Sequence, residues 1–217
     1  RVRSSAASDV YKRQLVGAEF AYHTLPLELD IFDCAAFESN PIEFHVVCTD
    51  VMTGKPVYYL MEKVDYDSLE WLRASASMPI VTRPVKVAGG NILLDGGISD
   101  SIPLEYFMNC GFGRNVVVLT QPLDYRKSPA KKWVFSTFMR RYPAIVEAMA
   151  RRHEMYNAQL DFVHDRVAAG DAFVIAPPAP LPIGRVEMNP EKMKRVYSIG
   201  REMCAELLPG LKAFLGK

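Results

Sequence analysis

The sequence predicts an α/β protein, on three observations. The runs IEFHVVCTD (residues 42–50) and NVVVLTQP (residues 115–122) are rich in β-branched residues and read as strands. In DYDSLEWLRASAS (residues 65–77), Leu69, Leu72 and Ala76 fall at helical spacing. A long helical pattern, YPAIVEAMARRHEMYNAQLDFVHDRVAAG, is followed directly by another strand-like run, AFVIAP. Strands interleaved with helices argue for a layered α/β domain.

Each element has its own signal. Residues 15–40 carry scattered apolar residues with Pro26 among them and read as short helical pieces and loop. The strand of residues 42–50 runs through a Thr53-Gly54 turn into PVYYL, which makes a hairpin. The helix after it ends at Met78-Pro79, because the residue before proline is pushed out of the helical region. VKVAGGNILLDGG is a second hairpin with Gly89-Gly90 at its turn. IPLEYFMNCG is a helix with Pro103 in its first turn and Gly111 just past its end. NVVVLTQP shows no polar alternation, the pattern of a strand covered on both faces. The long helix has Pro143 near its start and Gly170 at its end. APPAPLP is a rigid connector, and Asn189-Pro190 begins a C-terminal helix.

Composition narrows the class. The chain has 217 residues, 49% hydrophobic and 24% charged, enough to bury a core. No apolar run reaches the roughly 18 residues of a spanning helix. Cys34, Cys48, Cys110 and Cys204 are scattered without a CxxC, and are expected to be reduced and mostly buried. That fits a cytoplasmic protein. Residues 5–14, SAASDVYKRQ, equal the in-frame translation of a transposase adapter used to build sequencing libraries. Residues 1–14 are therefore read as an artefactual, non-native segment, with native sequence expected from about Leu15. The segment sets Arg1, Arg3, Lys12 and Arg13 against Asp9, so the remainder carries −2 where the whole chain carries +1. A basic bias is thereby excluded.

The stretch NILLDGGISDSIP holds the chemistry. Asp95 stands at a strand end, where open α/β sheets bind ligands, and Gly96 and Gly97 permit a sharp turn and close backbone approach. The alternative is a plain turn with a capping Asp. Gly97-Ile98-Ser99-Asp100-Ser101 falls one glycine short of a G-x-S-x-G elbow, so Ser99 is a candidate nucleophile. The cheaper account is that Ser99 or Asp100 caps the helix beginning near Ile102. Ser75 and Ser77 lack glycine neighbours and read as small residues packed near a pocket. His153 begins an H-E-x-x-H pattern, but Asn157 stands at the second ligand position, so no zinc site is expected. His153 and His164 read as surface or network residues. No phosphate loop is present, and no cofactor is expected.

One basic stretch remains. YRKSPAKKWVFSTFMRRYP interleaves Arg126, Lys127, Lys131, Lys132, Arg140 and Arg141 with Trp133, Phe135 and Phe138. It reads as a solvated helix face over an apolar one, or as a lipid-surface or protein-binding module. Nothing else in the sequence suggests nucleic acid.

Taken in order, VVCTDVMTGKPVYY, WLRASASMPIV, LLDGGISDSIPLEYF and VVVLTQP resemble the second half of a bacterial patatin-like phospholipase. RRHEMYN and the NPEKM helix resemble one bacterial subgroup of that family. The likeness covers residues 15–217, and the ordered set is more specific than D-G-G alone. It implies a three-layer patatin-like sandwich with a central, mostly parallel sheet whose N-terminal part is missing. Residues 15–180 would be the C-terminal part of that domain and 181–217 a helical extension. It further implies a serine acyl hydrolase cleaving lipid acyl esters with a Ser–Asp dyad, Asp95 being the acidic member. The nucleophilic serine and the oxyanion loop would precede Leu15, leaving this chain inactive and prone to associate. A lipid or acyl ester is then the substrate, with peripheral membrane contact as a candidate. Oligomeric state is left open.

Overall fold

The computed structural model describes residues 17–184 and 187–216, and within them not the side chains of Lys132 and Val134. The expected artefactual segment, residues 1–14, lies outside them. The fold is mixed α/β, in two compact units. The first comprises residues up to 101 and 129–155; the second comprises 102–128 and 156 onward.

The first unit opens with a π-helix, Phe20–Leu29, and helix α1, Cys34–Ser39. Pro26 cannot donate into a helical ladder, and the Asp30 N–H reaches back five residues to the Leu25 carbonyl at 2.8 Å. Strands β1 (His45–Asp50) and β2 (Pro56–Leu60) form the first hairpin; β3 (Val85–Lys86) and β4 (Ile92–Asp95) form the second. They join in one sheet in the order β2-β1-β4-β3, antiparallel throughout, with Cys48 opposite Asp95. This departs from the mostly parallel sheet that the resemblance implies. Within each hairpin the physical reason is connection length: turns this short cannot carry a crossover, so β1 with β2 and β3 with β4 must run antiparallel, and the β1–β4 pairing joins the two hairpins in the same sense.

Leu93 and Leu94 are both fully buried, although consecutive strand residues point to opposite faces. Both faces of this sheet are therefore covered. On one, Val46, Cys48 and Leu93 cluster with Trp71 and Ala74 of α2, Tyr66–Ser75. On the other, Val51 and Leu94 cluster with Ile98, Met139, Ile145 and Val146. Met139 follows helix α4, Lys132–Phe138, once the short helix α3, Leu104–Asn109, is counted in chain order. Ile145 and Val146 open helix α5, Pro143–Ala169. Helix α2 is anchored by a capping box: Asp65 accepts the Ser68 N–H at 2.8 Å, and the Ser68 hydroxyl receives the Asp65 N–H at 2.9 Å. Such a cap stabilises by about 1 kcal/mol. Tyr59 stacks on Trp71 at 4.6 Å between ring centroids, adding about 1 kcal/mol beyond its buried area.

The second unit pairs β5 (Asn115–Val118) with β6 (Ala172–Ile175) in parallel. Ile102, Leu104, Val117, Leu119, Leu160, Val163 and Ala172 form its core. Val116 is 40% and Val118 69% exposed, so β5 is not covered on both faces as its composition suggests. Only the Val117 side of the strand meets the core helices. Helix α6, Pro190–Leu215, is capped by Asn189 and has no buried residue.

The cysteines also depart from expectation. All four are free, but only Cys48 is buried; Cys34 is half-buried, and Cys110 and Cys204 are exposed. Cys110 ends a short surface helix and Cys204 lies on α6. No helix among the described residues is long and apolar enough to cross a membrane.

Candidate active site

Strand β4 ends at Asp95 and runs straight into a 3-10 turn, Gly96–Ile98. Four interactions fix the strand end. The Asp95 N–H donates to the Ser77 carbonyl at 2.9 Å. The Asp95 carbonyl accepts the Thr49 hydroxyl at 2.8 Å. Its carboxylate Oδ1 accepts the Gly97 N–H at 2.7 Å. The next residue, Gly96, passes so close to β1 that a Cβ there would lie 2.3 Å from the Val47 carbonyl oxygen. Only glycine fits that approach. The D-G-G sequence is thus a half-buried carboxylate oriented by its own turn, with Oδ2 not engaged by any described residue.

The turn is braced from α5. Arg152 Nε donates to the Gly97 carbonyl at 2.5 Å, and the Ser101 hydroxyl donates to the same oxygen at 2.7 Å. A cation therefore stands beside the Asp95 turn.

Ser99 and Asp100 do not cap helix α3. Its N-cap is Pro103, without a side-chain bond. Ser99 instead places its hydroxyl 2.7 Å from that of Thr49. Thr49 has one proton and gives it to the Asp95 carbonyl, so Ser99 must donate to Thr49. Asp100 is buried and accepts the Tyr58 hydroxyl at 2.5 Å. Both side chains find polar partners on β1 and β2, Thr49 and Tyr58.

The remaining candidates resolve simply. Ser75 donates to the Val47 carbonyl and Ser77 to the Arg73 carbonyl, both at 2.7 Å. They are small residues beside the Asp95 strand end, and Ser77 also supplies the carbonyl that holds Asp95. Cys48, opposite Asp95, is no nucleophile: burial, then the Asp95 charge, push its thiol up to about 12. His153 Nδ1 lies 3.1 Å from the Ala150 carbonyl and His164 Nε2 lies 3.2 Å from that of Leu123. Among the described residues no His, Cys, Asp and Glu cluster could hold a metal.

Sequence reasoning brought Asp95, Gly96, Gly97 and Ser99 to one turn. It missed Thr49, Arg152 and the Tyr58–Asp100 pair. Thr49 stands in the Thr-Asp end of β1 and Arg152 in RRHEMYN, both stretches that carry the resemblance, but nothing local gave either a role.

Residues 20–108 match the family model of patatin-like phospholipase, and residues 142–216 match a domain of unknown function, DUF6363. NTE family proteins of Mycobacterium bovis and of two Mycobacterium tuberculosis strains, CDC 1551 and H37Rv, are similar over 75 residues at 37% identity. That match covers 35% of this chain and 19% of each relative. The chain thus corresponds to a small part of these relatives' length. The segment from the π-helix through the Asp95 turn to α3, residues 20–108, belongs to the patatin-like phospholipase family.

Proposed function

We propose that this chain carries the acidic half of a patatin-like serine acyl hydrolase, with Asp95 as the base of a Ser–Asp dyad. The observation that carries the reading is the Asp95 carboxylate, held at a strand end by the Gly97 N–H inside the family-matched segment. A serine hydroxyl is a poor nucleophile until a neighbouring base takes its proton. A carboxylate with one oxygen pinned and the other open can take that proton at hydrogen-bond distance. In this reading the nucleophilic serine and the Gly-rich oxyanion loop belong to a segment this chain does not contain. Together with it, the domain would form a three-layer sandwich acting on lipid or other acyl esters. The exposed Val116 and Val118 are the kind of surface such a segment would cover, and they favour association of the chain alone.

The Ser99 esterase reading gains no support. The Ser99 proton is committed to Thr49, and no described histidine stands as its base. A fluorophosphonate probe should leave Ser99 unlabelled. The main test joins the native upstream sequence to this chain and follows hydrolysis of a short-chain aryl ester. Asp95→Asn should reduce kcat by about a hundredfold or more. Full activity in that variant would sink the assignment.

A further inference from the structure

The first unit holds a cavity of ≈ 340 Å³. Its lining includes Ile80, Arg83, Phe138, Arg141, Tyr142 and the buried Met139. Met139 belongs to the same apolar cluster as Leu94 and Ile98, which bracket Asp95, Gly96 and Gly97 in sequence. The wall segment continues directly from Ser77, whose carbonyl holds the Asp95 amide. The cavity is thus linked to the Asp95 turn through Met139, which packs with the residues flanking it, and through the segment after Ser77.

The lining has a definite chemistry. Arg83 and Arg141 are exposed, and neither forms an ion pair among the described residues. No Asp or Glu lines the cavity. Two arginines without an acidic partner in one lining favour an oxyanion, which arginine binds through paired N–H donors. Phe138, 56% exposed, and Ile80, 37% exposed, offer apolar surface next to them. Ile80 is also the one positive-φ residue other than glycine among the described residues, at +75°. A β-branched side chain is strained there, and such strain collects at ligand sites. The volume is at the low end of small-molecule sites, about 300–1,000 Å³, which suits a head group with a short apolar segment rather than a two-chain lipid.

We infer that this cavity binds the anionic head of an amphiphile, a phosphate or carboxylate on an apolar chain, through Arg83 and Arg141. The inference deepens the lipid-ester reading, because a site that packs through Met139 on the residues flanking the Asp95 turn would select acyl esters that carry a negative charge. It rests on that reading for its place in catalysis, but binding is measured without hydrolysis, so either can fail alone.

Equilibrium dialysis of the 217-residue chain against dodecyl phosphate, below its critical micelle concentration, tests it. Saturable binding is expected, with Arg83→Ala and Arg141→Ala each weakening it about tenfold. Arg140→Ala, a neighbouring exposed cation outside the cavity, should leave the affinity unchanged. Zwitterionic dodecyl phosphocholine and inorganic phosphate should each bind at least about tenfold more weakly. Equal affinity for inorganic phosphate would make the site a free-phosphate site and overturn the amphiphile assignment. Equal losses in all three arginine variants, or no saturable binding, would overturn the site. Circular dichroism of each variant separates a lost ligand contact from a lost fold, and Arg83→Lys, which keeps the charge, should restore part of the affinity.

Discussion

The carbonyl oxygen of Val47 lies 2.3 Å from where a Cβ on Gly96 would sit. Strand β1 therefore admits only glycine at the residue after Asp95. Gly96→Ala should cost about 3 kcal/mol, because the clash is with backbone that cannot rotate away. At Gly97 a Cβ would meet the Asp95 and Arg152 side chains, at 3.1 Å and 3.3 Å, and these can give. Gly97→Ala should therefore lose less stability than Gly96→Ala. Urea denaturation midpoints of the two variants rank them; the reverse order would contradict the geometry.

Thr49 is fully buried and links the Asp95 carbonyl to the Ser99 hydroxyl. Thr49→Val keeps the shape and removes both bonds. A loss of about 1–2 kcal/mol is expected, since two half-buried polar groups are left without that partner. Stability unchanged on chemical denaturation would mean that water replaces the hydroxyl.

Glu70 sets the acid response. It is buried, yet Arg73 donates to both of its oxygens and His23 Nε2 lies 2.8 Å from Oε1. Burial pushes its carboxyl up, but the hydrogen bonds from Arg73 and His23 outweigh this and hold it below the usual value. A carboxyl lowered in the folded state binds its proton more readily in the unfolded chain. Its contribution is therefore complete above the unfolded value, near pH 4.5, and is lost as pH falls through the folded one. Glu70→Gln should cost about 2–3 kcal/mol at pH 7 and flatten the fall in stability below pH 5. Melting curves from pH 3 to pH 7 check both parts.

Ile80 carries strain that glycine would relieve. Ile80→Gly should stabilise by about 1 kcal/mol, the relief at φ +75° exceeding the entropy glycine adds to the unfolded chain. The same change removes an apolar wall of the cavity, so affinity for dodecyl phosphate should fall as stability rises. Opposite signs in the two measurements would mark the strain as held for binding.

Native alkylation should sort the thiols. Cys110 and Cys204 are exposed and should react with iodoacetamide at pH 8. Cys48, buried and raised to about 12, should stay protected until the chain unfolds. Mass spectrometry of the labelled peptides reads the order directly.

The sequence by itself determined the two hairpins, the long helix and the Asp95-Gly96-Gly97 turn. Each of these rests on local rules: glycine turns, period-2 and period-3.6 patterning, and proline stops. It also picked out the family, through the order of four short segments. It misread what depends on neighbours. β5 looked buried on both sides because Val116, Val117 and Val118 are alike in sequence, while only Val117 meets the core. Ser99 and Asp100 looked like caps because they precede a helix, but Thr49 on β1 and Tyr58 on β2 bond them. Tertiary structure alone decided how the carboxylate is held. The bonds from Thr49 to Asp95 and from Arg152 to Gly97 span 46 and 55 residues of chain. No local pattern encodes such pairs, because they form only after β1 has paired with β4 and α5 has packed against the sheet.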